Sequence, residues 1–298
     1  MMSPPLLIVA SSLLFAAMAV CVKESSAQYS AGEIVFYRSV VGLLLMATTL
    51  RLRGISWRTP VPGMHLARSA SGTMALCLWF YALGGLPLAT AMTLNYMSSV
   101  WIALFLLGGA VLVSPGRGGV DGRLVAAVLV GFAGVGLVLR PTIEQDQLWH
   151  GLMGLMSGVL SATAYLQVTA LGRVGEPGER VVLYFSVTGV VAGAALAAFS
   201  GGAHAHTPRG VALLLATGFL ATGGQWLMTR AYATGATLGI ASLQYLGIVF
   251  GFILGVWLFD DPVTWMSLAG MACIIGAGVV ANLLRERGRP DDAAPTET

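Results

Sequence analysis

Charge is what this sequence has least of. Asp, Glu, Lys and Arg make up 10% of its 298 residues, against roughly 25% in a soluble domain. Hydrophobic residues make up 56% and the mean hydropathy is +0.81, so the chain lacks the polar surface a water-soluble fold needs and reads as a polytopic membrane protein. Cysteine is scarce too. Cys21, Cys77 and Cys273 lie scattered in apolar runs with no paired spacing, which argues for reduced thiols and against a disulfide or metal framework. No glycine-rich loop ends in Gly-Lys-Ser/Thr, which excludes a nucleotide-hydrolysing motor of that type. The run "GFAGVG" has its glycines in the wrong order for a dinucleotide turn. The apolar runs hold no clustered carboxylates, histidines or nucleophile–base pair, and the nearest candidate, Tyr165 with Gln167, offers no base. Catalysis is therefore not expected, and neither is a cofactor. The lone His204-x-His206 pair is a weak metal signal, and no metal site is assigned. The small basic excess is spread along loops rather than gathered in a patch, so no nucleic-acid partner is expected.

What is abundant is length of apolar run. Ten segments stand out, at about 5–23, 33–51, 65–84, 88–112, 122–140, 150–171, 179–199, 209–230, 237–259 and 263–284. Each is about 17–25 residues, the length a helix needs to cross a bilayer. The first lacks a basic leader and is too long for a signal h-region, so it reads as a retained helix. Residues 286–298, "RERGRPDDAAPTET" less its first residue, are polar and read as a disordered cytoplasmic tail. With both termini in the cytoplasm, twelve arginines (51, 53, 58, 68, 117, 123, 173, 180, 230, 285, 287, 289) fall at or near that face. Lys23, Arg38, Arg140 and Arg209 fall towards the other. This is a positive-inside bias and places the protein in the cytoplasmic (inner) membrane, with the lipid bilayer as its medium.

The chain also echoes itself. "LNYMSSVWIALFLLG" from Leu94 aligns with "LQYLGIVFGFILGVW" from Leu243, pairing Asn95 with Gln244 and Tyr96 with Tyr245. "IVFYRSV" has a looser partner in "VVLYFSV". Residues 1–142 and 149–285 are thus read as two five-helix repeats. Five is odd, so the halves enter the membrane from opposite sides, as in secondary transporters whose substrate site lies near the midplane between inverted repeats. The expected fold class is an all-α membrane protein of ten transmembrane helices in two inverted five-helix repeats.

Several stretches resemble a known family. "FYRSVVG", "ARSASGTMALCLWFYALGGLPLATAMTLNYMSSVWIALF" and "FDDPVTWMSLAGMACIIGAGVV" are similar to the EamA-type members of the drug/metabolite transporter superfamily, over residues 1 to about 285. The resemblance implies a transporter, not an enzyme, for solutes such as amino acids and related metabolites; the chain is read as a secondary exporter working by alternating access, with uptake or exchange of a larger nucleoside-like or vitamin compound, or a membrane sensor or assembly partner, as the alternatives. Members usually carry a proline within the fourth helix and a glutamate near its end. This chain has Ser98, Ser99 and "LGGAV" there, and the matching acidic position of the second half is Asp260 or Asp261.

The spans hold polar and aromatic residues that must meet partners or line a cavity. The substrate-binding candidates are Arg38, Trp79, Asn95, Tyr96, Ser99, Tyr165, Gln167, Gln225, Trp226, Gln244 and Tyr245. They are expected around a cavity walled by the third, fourth, eighth and ninth helices that suits a zwitterion with an apolar part. Any one of the Asn, Gln and Ser side chains could equally be interhelical glue. Trp101, Trp149, Trp257 and Trp265 are placed in an aromatic belt. Gly247, Gly251 and Gly255, and Gly154 with Gly158, mark close helix approaches. Arg38 cannot shed its proton and is costly in hydrocarbon. Three destinations stay open for it: snorkelling to the outer interface, pairing with the opposite half, or meeting a substrate carboxylate or phosphate. Arg68 is read as a positive-inside anchor. The expected partners are a small-molecule substrate and, as an assembly compatible with the sequence, a second copy in a homodimer.

Overall fold

The apolar runs fold as helices because in a bilayer each backbone polar group must be satisfied within its own segment. The structure, a computed structural model, describes residues 4–98, 100–102, 104–105, 122–144, 147–233 and 243–287. The helices are α1 (Pro4–Ser25), α2 (Ala31–Leu52), α3 (Pro62–Gly85), α4 (Leu88–Tyr96), α5 (Gly122–Glu144), α6 (Leu148–Arg173), α7 (Gly178–Phe199), α8 (Pro208–Ala233), α9 (Leu246–Phe259) and α10 (Trp265–Arg287). No strand occurs among the described residues. Five of these helices, α1, α2, α6, α7 and α8, are long and apolar enough to cross a membrane. The chain is an all-α, multi-pass membrane protein.

Two expected segments begin or end differently. The run from Leu88 is interrupted at Met97, which closes α4, and helical residues resume at Ser98. Residues 106–121 lie outside the described residues. In the other half, Leu243–Tyr245 form a 3-10 turn ahead of α9. The end of α4 and the 3-10 turn fall at the Asn95-Tyr96 and Gln244-Tyr245 pairs that the internal echo aligns. Helix α10 runs to Arg287, two residues into the stretch read as tail, and 288–298 lie outside the described residues.

Helix starts explain where Glu33 goes. Ser30 and Glu33 form a capping box: the Glu33 N–H donates to Ser30 Oγ at 3.3 Å and the Ser30 N–H donates to Glu33 Oε2 at 2.9 Å. The same carboxylate accepts the His204 backbone N–H at 2.8 Å and faces His204 Nδ1 at 2.6 Å. With its oxygens occupied at the mouth of α2, Glu33 does not pair with Arg38. His206 Nε2 bonds Tyr37 Oη at 2.8 Å instead, so the two histidines are tied to different partners.

Among the described helices, α1–α5 pack against α6–α10. Helix α2 lies along α7, α3 along α6, α1 along α8 and α5 along α10, while α4 meets both α6 and α9. The α2–α7 contact is reciprocal. A Cβ on Gly42 would meet Ser186 Oγ at 2.8 Å, and a Cβ on Gly189 would collide with Ser39 Oγ. Exchanging α2 for α7 turns one contact into the other, as in an isologous interface. The small residues allow the close approach that substitutes for a hydrophobic drive inside lipid.

Helix α4 is buried along its whole length, and glycines on both sides make room for it. A Cβ on Gly247 would meet Tyr96 Oη at 2.6 Å, one on Gly251 would collide with Met92 Sδ, and one on Gly255 would meet Leu88 Cβ at 3.2 Å. On the α6 side, a Cβ on Gly158 would lie 2.6 Å from the Leu94 carbonyl oxygen. Backbone cannot give way as a flexible side chain can, so Gly158→Leu is expected to destabilise the protein by about 1–3 kcal/mol through overpacking. Thermal unfolding in detergent reads this, and a wild-type melting temperature would show that α6 and α4 are not pressed together there.

Trp149, Trp257 and Trp265 are exposed at the periphery, as a belt requires. Trp101 differs: it is half-buried, edge-on to Phe132 of α5 with ring centroids 4.8 Å apart.

Candidate functional site

Inside the bundle, α1, α2, α3, α4, α6, α7 and α8 line a small cavity of about 70 Å³. Six of the expected residues line it: Arg38, Trp79, Asn95, Tyr96, Tyr165 and Gln225. The walls differ from those read in the sequence, since α1, α2, α6 and α7 contribute and α9 does not.

Helical geometry separates the remaining candidates from the cavity. Adjacent residues on a helix point about 100° apart, so with Gln225 inward its neighbour Trp226 turns away. Trp226 Nε1 donates to Glu179 Oε1 at 3.2 Å, and Arg53 and Arg230 sit over its ring. Gln167, two residues beyond Tyr165, is on the far side of α6 and accepts from Ser71 Oγ at 2.8 Å. Gln244 and Tyr245 are buried in the 3-10 turn, where Tyr245 presses on Gly278 of α10. Ser99 lies outside the described residues.

Arg38 and Arg68 dominate the electrostatics. Both are buried, at 5% and 3% exposed. Burial excludes the snorkelling destination for Arg38, and it moves Arg68 from its expected place at the interface to the cavity wall. Their guanidinium carbons lie 5.1 and 4.2 Å from the centroid of one ring, Phe185 of α7, a cation–π arrangement from two cations. Phe185 is the residue that the internal echo aligns with Arg38, so the two related positions meet across the α2–α7 contact. Gly72 gives Arg68 its path, because a Cβ there would collide with Arg68 Nη1. A glycine one turn after the arginine lets the long side chain fold along α3 towards the centre, the signal a sequence reading could have used.

Neither arginine meets a carboxylate among the described residues. The acidic groups with described contacts are engaged elsewhere: Glu24 with Arg209, Glu33 with His204, Glu176 with His65 and Arg180, Glu179 with Arg53, and Asp261 with Lys23. Several donors on lining residues also have no hydrogen-bond partner among the described residues: Arg38 Nε, Arg68 Nε and Nη1, Trp79 Nε1 and Gln225 Nε2. Buried donors without acceptors are costly, and these are gathered around one cavity. Asn95 is partly satisfied, donating to Ser157 Oγ at 3.0 Å and Ser161 Oγ at 3.2 Å, so it joins α4 to α6 while lining the space.

Polar clasps between the two parts of the chain, residues 4–96 and 147–287, lie at both ends of the bundle. At one end, Lys23 Nζ pairs with Asp261 Oδ1 at 2.7 Å and Asp261 Oδ2 accepts the Leu88 N–H at 2.6 Å. At the other, Glu176 accepts from Thr59 Oγ1 at 2.9 Å, Arg180 Nη1 at 2.8 Å and His65 Nε2 at 3.1 Å. Burial pushes the Glu176 carboxyl up, and these hydrogen bonds bring it down further, leaving it below its ordinary value. A folded-state value below the unfolded one contributes stability that is full above the unfolded value, about 4.5, and is lost as pH falls through the folded value. The melting temperature in detergent is therefore expected to fall with acidification below about pH 4.5, and Glu176→Gln should flatten that part of the profile. An unchanged profile in the variant would remove the clasp from the account.

Comparison with known proteins agrees with this architecture. Residues 2–140 match the model of the EamA-like transporter family. The chain is 32% identical over 277 residues to the pseudopaline exporter CntI of Pseudomonas aeruginosa, covering 91% of this chain and 93% of that one. It is 28% identical over 246 residues to a riboflavin transporter of Rhizobium johnstonii, covering 80% and 77%. A crystal structure 20% identical in sequence superposes with a TM-score of 0.65 over 96% of this chain and 99% of that one, a likeness of fold. The family and these named relatives are transporters, not enzymes, and the chain belongs to the EamA-like transporter family of the drug/metabolite transporter superfamily.

Proposed function

We propose that the protein is a secondary transporter of the cytoplasmic membrane that exports small organic metabolites, amino acids or related compounds, by alternating access. The observation that carries this is the central cavity with two buried arginines and no described carboxylate to neutralise them, together with unpartnered donors on Trp79 and Gln225. Such a wall receives a carboxylate-bearing solute through charge-assisted, bidentate hydrogen bonds. Tyr96, Tyr165 and Trp79 flank its apolar part. Ten membrane-crossing helices in two inverted repeats, with both termini cytoplasmic, form the frame. The reciprocal α2–α7 contact, the end of α4 at Tyr96 with the 3-10 turn ending at Tyr245, and the distribution of arginines support that frame. Rocking of the halves would break and remake the Asp261 and Glu176 clasps in turn. The exporter among the relatives favours the outward direction.

A second reading, a carrier for a larger vitamin-like compound, is favoured by the riboflavin transporter among the relatives and by the aromatic lining. Purified protein in liposomes, loaded with labelled amino acids, nucleosides, vitamins and organic acids in turn, separates the two. Efflux accelerated by external unlabelled solute identifies the class carried. Absence of protein-dependent exchange for every member would overturn the transporter reading for these solutes.

A further inference from the structure

Resting on the carrier part of that reading, but moving its solute class away from zwitterionic amino acids, we infer that the cavity selects solutes bearing two anionic groups, such as dicarboxylates, over zwitterions and monoanions. The argument is one of charge balance. Arg38 and Arg68 approach the same Phe185 ring at 5.1 and 4.2 Å, so their guanidinium carbons are no farther apart than the sum of those distances, 9.3 Å. Both stay charged, since a guanidinium does not deprotonate in a protein. Two like charges this close in a low-dielectric setting repel each other. Among the described residues, the side chains that line the cavity include no aspartate or glutamate, and the acidic groups with described contacts are bound to other partners at the ends of the bundle.

One carboxylate leaves one guanidinium uncompensated in the loaded cavity. Two neutralise the pair and occupy the free Nε and Nη1 donors. A zwitterion is disfavoured further, because its ammonium would sit beside two cations and meet no described carboxylate, with neutral acceptors such as the Gln225 and Ser161 oxygens and aromatic faces to receive it. A dianion thus turns a doubly charged cavity into a neutral one, the form that best tolerates passage across the bilayer. The spacing of the two arginines, rather than either one alone, sets this preference.

The test uses wild-type full-length protein in liposomes and does not depend on any variant folding. Succinate, glutarate and adipate are the probes, each compared with its monoamide and diamide, which keep shape while removing one or both charges. Counterflow of labelled dicarboxylate is expected for at least one chain length. The matching monoamide should compete at least about 10-fold more weakly, and the diamide should not compete. Monoamide and dicarboxylate competing equally would overturn the inference, as would exchange of zwitterionic amino acids without any dicarboxylate counterflow, while the carrier reading would stand in both cases. Loss of exchange for all these acids and for the broader panel would overturn both. In a positive result, Arg38→Gln and Arg68→Gln should each abolish the preference for the dicarboxylate over its monoamide, whereas a purely structural role for the arginines would leave that ratio unchanged.

Discussion

Arg38→Gln is expected to raise the concentration of a carboxylate solute needed for half-maximal transport by about 10- to 100-fold, the loss of one charge-assisted contact of about 1.5–3 kcal/mol. Arg68→Gln is expected to do the same. Both side chains are buried against Phe185 and neither meets a carboxylate among the described residues. The two effects should not add, because the pair acts on one ligand as a unit. Stability supplies the control. Removing one of two mutually repelling buried cations should leave the melting temperature equal or higher, whereas a structural pairing of Arg38 with the opposite half predicts loss of folded protein. Arg38→Lys keeps the charge but not the planar fork and should recover only part of the affinity. Wild-type kinetics in both glutamine variants would exclude the arginines from the binding site.

The second large effect concerns Asp261. Its carboxylate takes Lys23 Nζ from α1 and caps the first N–H of α4 while standing in the loop between α9 and α10. The side chains are 17% and 11% exposed, closer to a buried pair than to a surface one. Asp261→Ala leaves the ammonium without its partner and the start of α4 without its acceptor, and is expected to cost about 3 kcal/mol. Asp261→Asn keeps an acceptor for Leu88 and should cost less. Combining Lys23→Met with Asp261→Leu removes both charges and should regain most of the loss, as apolar replacements of buried ion pairs do. Unfolding of the purified variants in graded denaturing detergent measures the cycle. A change below about 0.5 kcal/mol for Asp261→Ala would class the contact with ordinary surface pairs.

These residues also show how far each kind of information reaches. Arg38 was legible because a fixed charge among apolar neighbours is anomalous within a window of a few residues. The glycines of α6 and α9 announced close approach, and the structure supplies α4 as what approaches. Arg68 was misread because "RSASG" near a helix start looks like an interface anchor. Its real position depends on Gly72 one turn later and on Phe185 from a helix more than a hundred residues away. Trp226 and Gln167 were grouped with the cavity as polar and aromatic residues within the spans, a criterion that says nothing about which helix face meets the centre.

By itself, the amino-acid sequence determined that this chain lives in a membrane, where most of its described helices run and that its halves echo each other. Those properties are sums of transfer and hydrogen-bonding free energies over neighbouring residues, so they can be read in order along the chain. Only the tertiary structure decided which faces converge. Bringing two arginines to one phenylalanine requires small residues on α2, α3 and α7 to match in space, and packing of that kind is a property of pairs of surfaces distant in sequence.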